Sequence, residues 1–181
     1  MNELPRANPQ VQALLEGCND LLRRADVHEL RRTFQPGPQG LQLDEPTPEQ
    51  LQDVYDTACR LCNEGNFRFA APLALHLVTC KPGDMRFSYL AGACMHHLGM
   101  HANATRFYCY TLVNGGDNAA ILYRLAECLL ALGDGVNAEK ALDAAIEVAR
   151  DTEVPQEVLA AVDTLFDSLR SQPGSRQKGT A

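Results

Sequence analysis

Five columns of residues recur at a spacing of 34 through the middle of this chain. Tyr55, Tyr89 and Tyr123 form one, and Ala58, Gly92 and Ala126 form another. Leu61, Met95 and Leu129 hold the same register, as do Gly65, Gly99 and Gly133, and Ala70, Ala104 and Ala138. Each column has a physical reading on a helical hairpin. The small residue at 58, 92 or 126 lies midway along a first helix, where a second helix must approach closely. The large apolar residue three positions on falls on the same face one turn later. The glycine ends that helix, in the left-handed cap that glycine adopts most easily. The second alanine column packs the second helix against the first.

A hairpin of this kind cannot bury its apolar face alone and must stack on neighbours; a 34-residue period is that of the tetratricopeptide repeat. The expected fold is all-α: three hairpins in a right-handed superhelix, with an N-terminal amphipathic helix and a C-terminal capping helix. Repeats are assigned to 51–84, 85–118 and 119–152, within a repeat domain over 49–170. Helices are expected near 51–64, 67–80, 85–98, 101–113, 119–132 and 136–149. Thr47-Pro48-Glu49-Gln50 carries an N-cap, a proline at the first helical position and a capping-box glutamine, while Asp84 and Asp117 precede the next two first helices. Pro72 falls a turn or more into a second helix and predicts a late start or a kink there.

Four pieces lie outside the repeats. Residues 1–34 form an N-terminal segment, in which Asn8-Pro9 starts a helix with the stripe Val11, Leu14, Leu15, Cys18, Leu21, Leu22 and Ala25. Asp26 and Glu29 fit a further short turn to Thr33. Residues 35–48, rich in proline and glycine, read as a linker. Val158, Leu159, Val162, Leu165, Phe166 and Leu169 stripe a capping helix over 155–170, and 171–181 is a polar, disordered tail.

Charge and composition narrow the partners. A net charge of −7 over 181 residues argues against nucleic acid or an anionic membrane surface. No apolar run approaches the roughly 18 residues that a spanning helix needs. The first residues lack the pattern of a signal peptide, and seven cysteines, an odd number spread through helical segments, read as reduced thiols. The expected setting is the cytoplasm.

The register also points to a binding surface. In such arrays the first helices build the concave face, at repeat positions 2, 5, 9, 12 and 13. Position 5 is Tyr55, Tyr89 and Tyr123; position 9 is Cys59, Ala93 and Glu127. Position 12 is Cys62, His96 and Leu130, and position 2 is Gln52, Arg86 and Ala120. The candidate peptide-binding residues are therefore Tyr55, Cys59, Cys62, Arg86, Tyr89, Ala93, His96, Tyr123 and Glu127. A tyrosine row above small, apolar floors with few charges suits an apolar or proline-bearing peptide. The competing reading is that the tyrosines fill the stack between hairpins. Tyr108 and Tyr110, on a second helix, read as core or convex. A clamp for an acidic C-terminus needs Lys and Asn where Tyr55, Cys59, Tyr89 and Ala93 stand.

An enzyme or metal reading has two footholds. Cys59-Arg60-Leu61-Cys62 is a CxxC, but it lies mid-helix, where cysteine behaves as a small hydrophobe, and a reactive pair needs a helix N-terminus. His97 and His101 have i,i+4 spacing with Gly99 breaking the helix between them, and His96 points elsewhere. No second CxxC supplies zinc with four ligands. Gly133-Asp134-Gly135 is a turn without the ending of a phosphate loop. The expectation is no enzyme activity, no metal and no cofactor.

Beyond the generic repeat, Arg86-Phe87, Leu90 and Gly92-Ala93-Cys94, with Ala126-Glu127-Cys128-Leu129-Leu130 in the next repeat, resemble the class II chaperones of bacterial type III secretion, the LcrH/SycD type. The motif-level resemblance covers about residues 45–150; the ends match in architecture. It implies a bacterial cytosolic chaperone that holds membrane-inserting translocator proteins before export. It also implies a concave groove that takes an extended client segment with proline and leucine anchors. Members of that family use the N-terminal region for homodimers, so the stripe from Val11 to Ala25 serves either a dimer or packing back on the array. The alternative is a peptide-binding repeat scaffold unrelated to secretion.

Overall fold

A computed structural model describes residues 8–18, 46–115, 118–151 and 155–171. Among them are eight helices and no strand: α1 (Pro9–Gly17), α2 (Pro48–Asn63), α3 (Phe67–Cys80), α4 (Met85–His97), α5 (His101–Val113), α6 (Ala119–Ala131), α7 (Gly135–Asp151) and α8 (Gln156–Ser171). The short turn expected over 26–33, most of the 35–48 linker and the tail beyond Ser171 lie outside the described residues.

The helix boundaries follow from caps. Thr47 and Gln50 close a reciprocal box on α2: the Gln50 N–H donates to Thr47 Oγ1 at 3.3 Å, and the Thr47 N–H donates to Gln50 Oε1 at 2.8 Å. Asp84 caps α4, its carboxylate accepting from the Arg86 N–H. The cap of α6 is Asn118 rather than its neighbour Asp117, which lies outside the described residues. The repeated glycines end the first helices with φ of 77°, 73° and 79°. In each case the residue after the glycine donates to the large apolar column: Asn66 to Leu61 O, Met100 to Met95 O, and Asp134 to Leu129 O. This is the left-handed cap that satisfies carbonyls otherwise left open at a helix end.

Of the two outcomes expected at Pro72, the late start does not occur. Helix α3 starts at Phe67 and runs past the proline to Cys80, so the start is not delayed. The Arg68 carbonyl instead lacks the bond a residue 72 N–H would make.

Each hairpin packs on the next, α3 against α4 and α5 against α6, and α8 closes the end against α6 and α7. Ala58, Gly92, Ala126, Ala70, Ala104 and Ala138 are buried, as close helix approach requires. Among the repeated small positions, Gly92 is the closest approach of first and second helix: a Cβ there would sit 2.8 Å from Tyr108 Cε1. Tyr108 is a core residue at 1% exposure, whereas Tyr110 is 50% exposed. Helix α1 packs on α7, with Val11 and Leu14 buried. A Cβ on Gly17 would lie 2.6 Å from Asn137 Oδ1, so the two helices meet at a small residue. The described part of the N-terminal stripe therefore packs back on the array; Leu21, Leu22 and Ala25 lie outside the described residues.

Candidate functional site

Repeat positions 5, 9 and 12 follow i, i+4, i+7 and so form one stripe on α2, α4 and α6. Residues one position before them, such as Ala58, Gly92, Ala126, Met95 and Leu129, turn inward and are buried. The stripe itself is partly open in every repeat. Tyr55, Cys59, Cys62, Ala93, His96, Tyr123 and Glu127 are half-buried, Arg86 is exposed, and Tyr89 is 38% exposed. All nine candidate residues are thus at least partly open to solvent.

Its three sections differ. At the first repeat, the Tyr55 ring lies 5.7 Å from that of Phe87, with the Arg86 guanidinium 5.4 Å above Tyr55. Arg86 is held by Asp84 at 2.8 Å and reaches Gln52 Oε1 at 3.5 Å, joining position 2 of adjacent repeats. That ion pair lowers the Asp84 pKa, while burial and a bond with Cys59 push Tyr55 up to about 12. Tyr55 is thus partly open and partly stacked on Phe87.

In the second repeat, Tyr89 stands against the buried Tyr108, ring centres 6.1 Å apart, beside the small Ala93. Its hydroxyl makes no hydrogen bond to a described residue. His96 lies further along, its Nδ1 3.5 Å from the Tyr108 hydroxyl, and burial holds its pKa below the ordinary histidine value. In the third repeat the Tyr123 hydroxyl donates to Glu127 Oε1 at 3.0 Å, and Glu127 pairs with Arg124 at 2.9 Å. The surface therefore carries more charge at its two ends than the columns alone imply. Arg124 was legible only as an i,i+3 partner of Glu127; Phe87 and Tyr108 become visible once helices are packed.

The chemistry-bearing motifs are placed as follows. Cys59 and Cys62 sit mid-helix in α2, and burial raises the Cys62 thiol, opposite to what a reactive thiol needs. Cys62 Sγ meets Cys94 Sγ of the next repeat at 3.5 Å. The histidines divide differently from the i,i+4 pairing. His97 stacks on Phe67 at 4.0 Å, and it is His96 and His101 that approach, ring centres 5.5 Å apart. Asp134, in the Gly-Asp-Gly turn, accepts from the Asn137 N–H at the start of α7.

Comparison with known proteins agrees with this architecture. Residues 114–162 match the tetratricopeptide-repeat family. Low calcium response locus protein H of Yersinia pestis is 25% identical over 128 residues, covering 71% of this chain and 76% of that protein. The solved type III secretion translocator chaperone SycD of Yersinia enterocolitica is 25% identical with a TM-score of 0.66, over 75% of this chain and 97% of SycD. SycD has also been solved in complex with a peptide of the translocator YopD; that structure is 24% identical, with a TM-score of 0.66, over 70% of this chain and 97% of its own. In sequence and in fold this chain is therefore similar to the type III secretion translocator chaperones, with a tetratricopeptide-repeat match over residues 114–162.

Proposed function

We propose that the chain is a bacterial cytoplasmic chaperone of type III secretion translocators, and that it binds an extended, apolar or proline-bearing client segment along the open stripe of α2, α4 and α6. The observation that carries this reading is the stripe itself: Tyr89 holds a large ring half-open beside Ala93, while the residues on either side of Ala93, Gly92 and Cys94, are buried. A translocator must later enter a membrane, so its apolar segments need cover in the cytoplasm. Each fully buried leucine anchor contributes about 1.5–3 kcal/mol. Two or three anchors, less the cost of ordering the peptide, give roughly micromolar or tighter binding, firm enough to protect a client and weak enough to release it. The role is one of binding and needs no chemical step. Among the described residues no helix is long and apolar enough to cross a membrane.

Self-association through the N-terminal segment belongs to the same reading, since SycD has been solved in an alternative dimer. Val11 and Leu14 are already covered by α7 and would not supply its contact.

The test is affinity and melting temperature measured together, using a peptide from the proline- and leucine-bearing segment of the cognate translocator. Tyr89→Ala and Tyr55→Ala are each expected to weaken binding by roughly 1–3 kcal/mol, the range for losing an aromatic anchor. Tyr89→Ala should barely move the melting temperature; Tyr55→Ala, packed on Phe87, should lower it. Unchanged affinity in folded Tyr89→Ala protein overturns the groove assignment. Failure of the protein to retain any translocator in co-expression favours a repeat scaffold unrelated to secretion.

A further inference from the structure

The junction between the second and third repeats brings together three metal-ligating side chains that no sequence motif connects. His96 lies in the last turn of α4, His101 opens α5 and Cys128 lies in α6; one ligand atom from each falls within 4.8 Å of the others. Three points no more than 4.8 Å apart share a centre within about 2.8 Å of each, against bonds of about 2.0 Å for Zn–N and 2.3 Å for Zn–S, so shifts under about 1 Å close the site.

Two further observations single this cluster out. The first is an unpartnered atom: His101 Nδ1 is buried and has no hydrogen-bond partner among the described residues. Buried polar atoms nearly always have a partner, and a metal ion is one that an imidazole nitrogen can take. The second is the repeat register. The residues 34 positions earlier are Cys62, Phe67 and Cys94. There too the position-12 and position-10 side chains meet, at 3.5 Å between sulfurs, so the convergence belongs to the architecture. In that junction the third corner is Phe67, whose ring stacks on His97 and offers no donor atom. Only the second junction fills all three corners with ligands.

We propose that His96, His101 and Cys128 bind one zinc ion, with a fourth position left to water, and that the ion staples the α4–α5 turn of the second repeat to α6 of the third. Two imidazoles and a thiol suit a borderline-soft transition metal and not calcium or magnesium, which take oxygen donors. The Tyr108 hydroxyl beside His96 Nδ1 helps orient that ring, as outer partners of ligating histidines do. Because His96 also lies on the open stripe, the ion would stiffen the groove wall without depending on any client.

The full chain, stripped with chelator in reducing buffer, is titrated with zinc chloride and separately with cobalt(II). Expected are one zinc per chain, a zinc-dependent rise in melting temperature, and a thiolate-to-cobalt charge-transfer band in the near ultraviolet. His101→Phe, which copies the first junction, and Cys128→Ala should each weaken zinc binding by more than the 10- to 100-fold typical of losing an outer partner. Cys59→Ser with Cys62→Ser should leave stoichiometry unchanged. Should either single variant fail to fold, the cobalt spectrum of the wild-type chain still decides. Absence of stoichiometric zinc, a cobalt spectrum without the thiolate band, or full zinc binding retained by folded His101→Phe or Cys128→Ala overturns the site.

Discussion

Gly92→Ala isolates a close contact within the second hairpin. A Cβ at residue 92 would stand 2.8 Å from Tyr108 Cε1, 2.9 Å from Cδ1 and 3.3 Å from Phe107 Cβ. At 1% exposure the Tyr108 ring has no solvent to move into, so it must shift within a packed core. Such overpacking costs about 1–3 kcal/mol, while alanine gains about 1 kcal/mol over glycine in helix propensity. The net expectation is a loss of roughly 0–2 kcal/mol. The other repeats supply the control: position 8 is alanine where position 24 is Ala74 or Leu142. In a Tyr108→Leu background the same Gly92→Ala change should therefore be neutral or stabilising by up to about 1 kcal/mol. The coupling between the two sites is then roughly 1–3 kcal/mol, outside the few tenths expected of independent sites. Urea denaturation of the wild type, both single variants and the double variant measures it. Equal effects of Gly92→Ala in the two backgrounds would refute the argument that the ring and the glycine are matched.

Three other outcomes follow from the packing and the caps. Asp84 caps α4 and is held ionised by Arg86, so its folded-state pKa is depressed; its charge-dependent stability is complete above the model-compound value of 3.8 and is lost as pH falls below it. Asp84→Asn keeps the cap, and its denaturation difference from wild type should shrink between pH 6 and pH 3; a difference that grows would reverse the sign. Leu14→Ala should cost about 2–5 kcal/mol at the α1–α7 contact, read as lost hydrogen-exchange protection in α1; unchanged protection would mean the helix is held elsewhere. Pro72→Ala restores a donor for the Arg68 carbonyl and should stabilise by about 1–3 kcal/mol in urea, whereas a lower midpoint would show the proline ring to be better packed than its missing bond costs.

Periodicity determined the hairpins, because a 34-residue column demands the same environment in each repeat. Caps at Thr47 and Asp84 and the left-handed glycines are local interactions, so helix ends were legible to within three residues. The partly open stripe of positions 5, 9 and 12 was legible too, since i, i+4, i+7 on a helix needs only the register. Tertiary structure decided what that stripe contains. Tyr55, Tyr89 and Tyr123 are one column in sequence but three environments: one packed on Phe87, one open, one tied to Glu127. Continuity of α3 through Pro72 was likewise decided by packing, which outweighs one missing bond. The His96, His101 and Cys128 cluster was invisible for a related reason. Its members lie on three helices, and contacts between helices follow side-chain directions and crossing geometry that linear spacing does not encode.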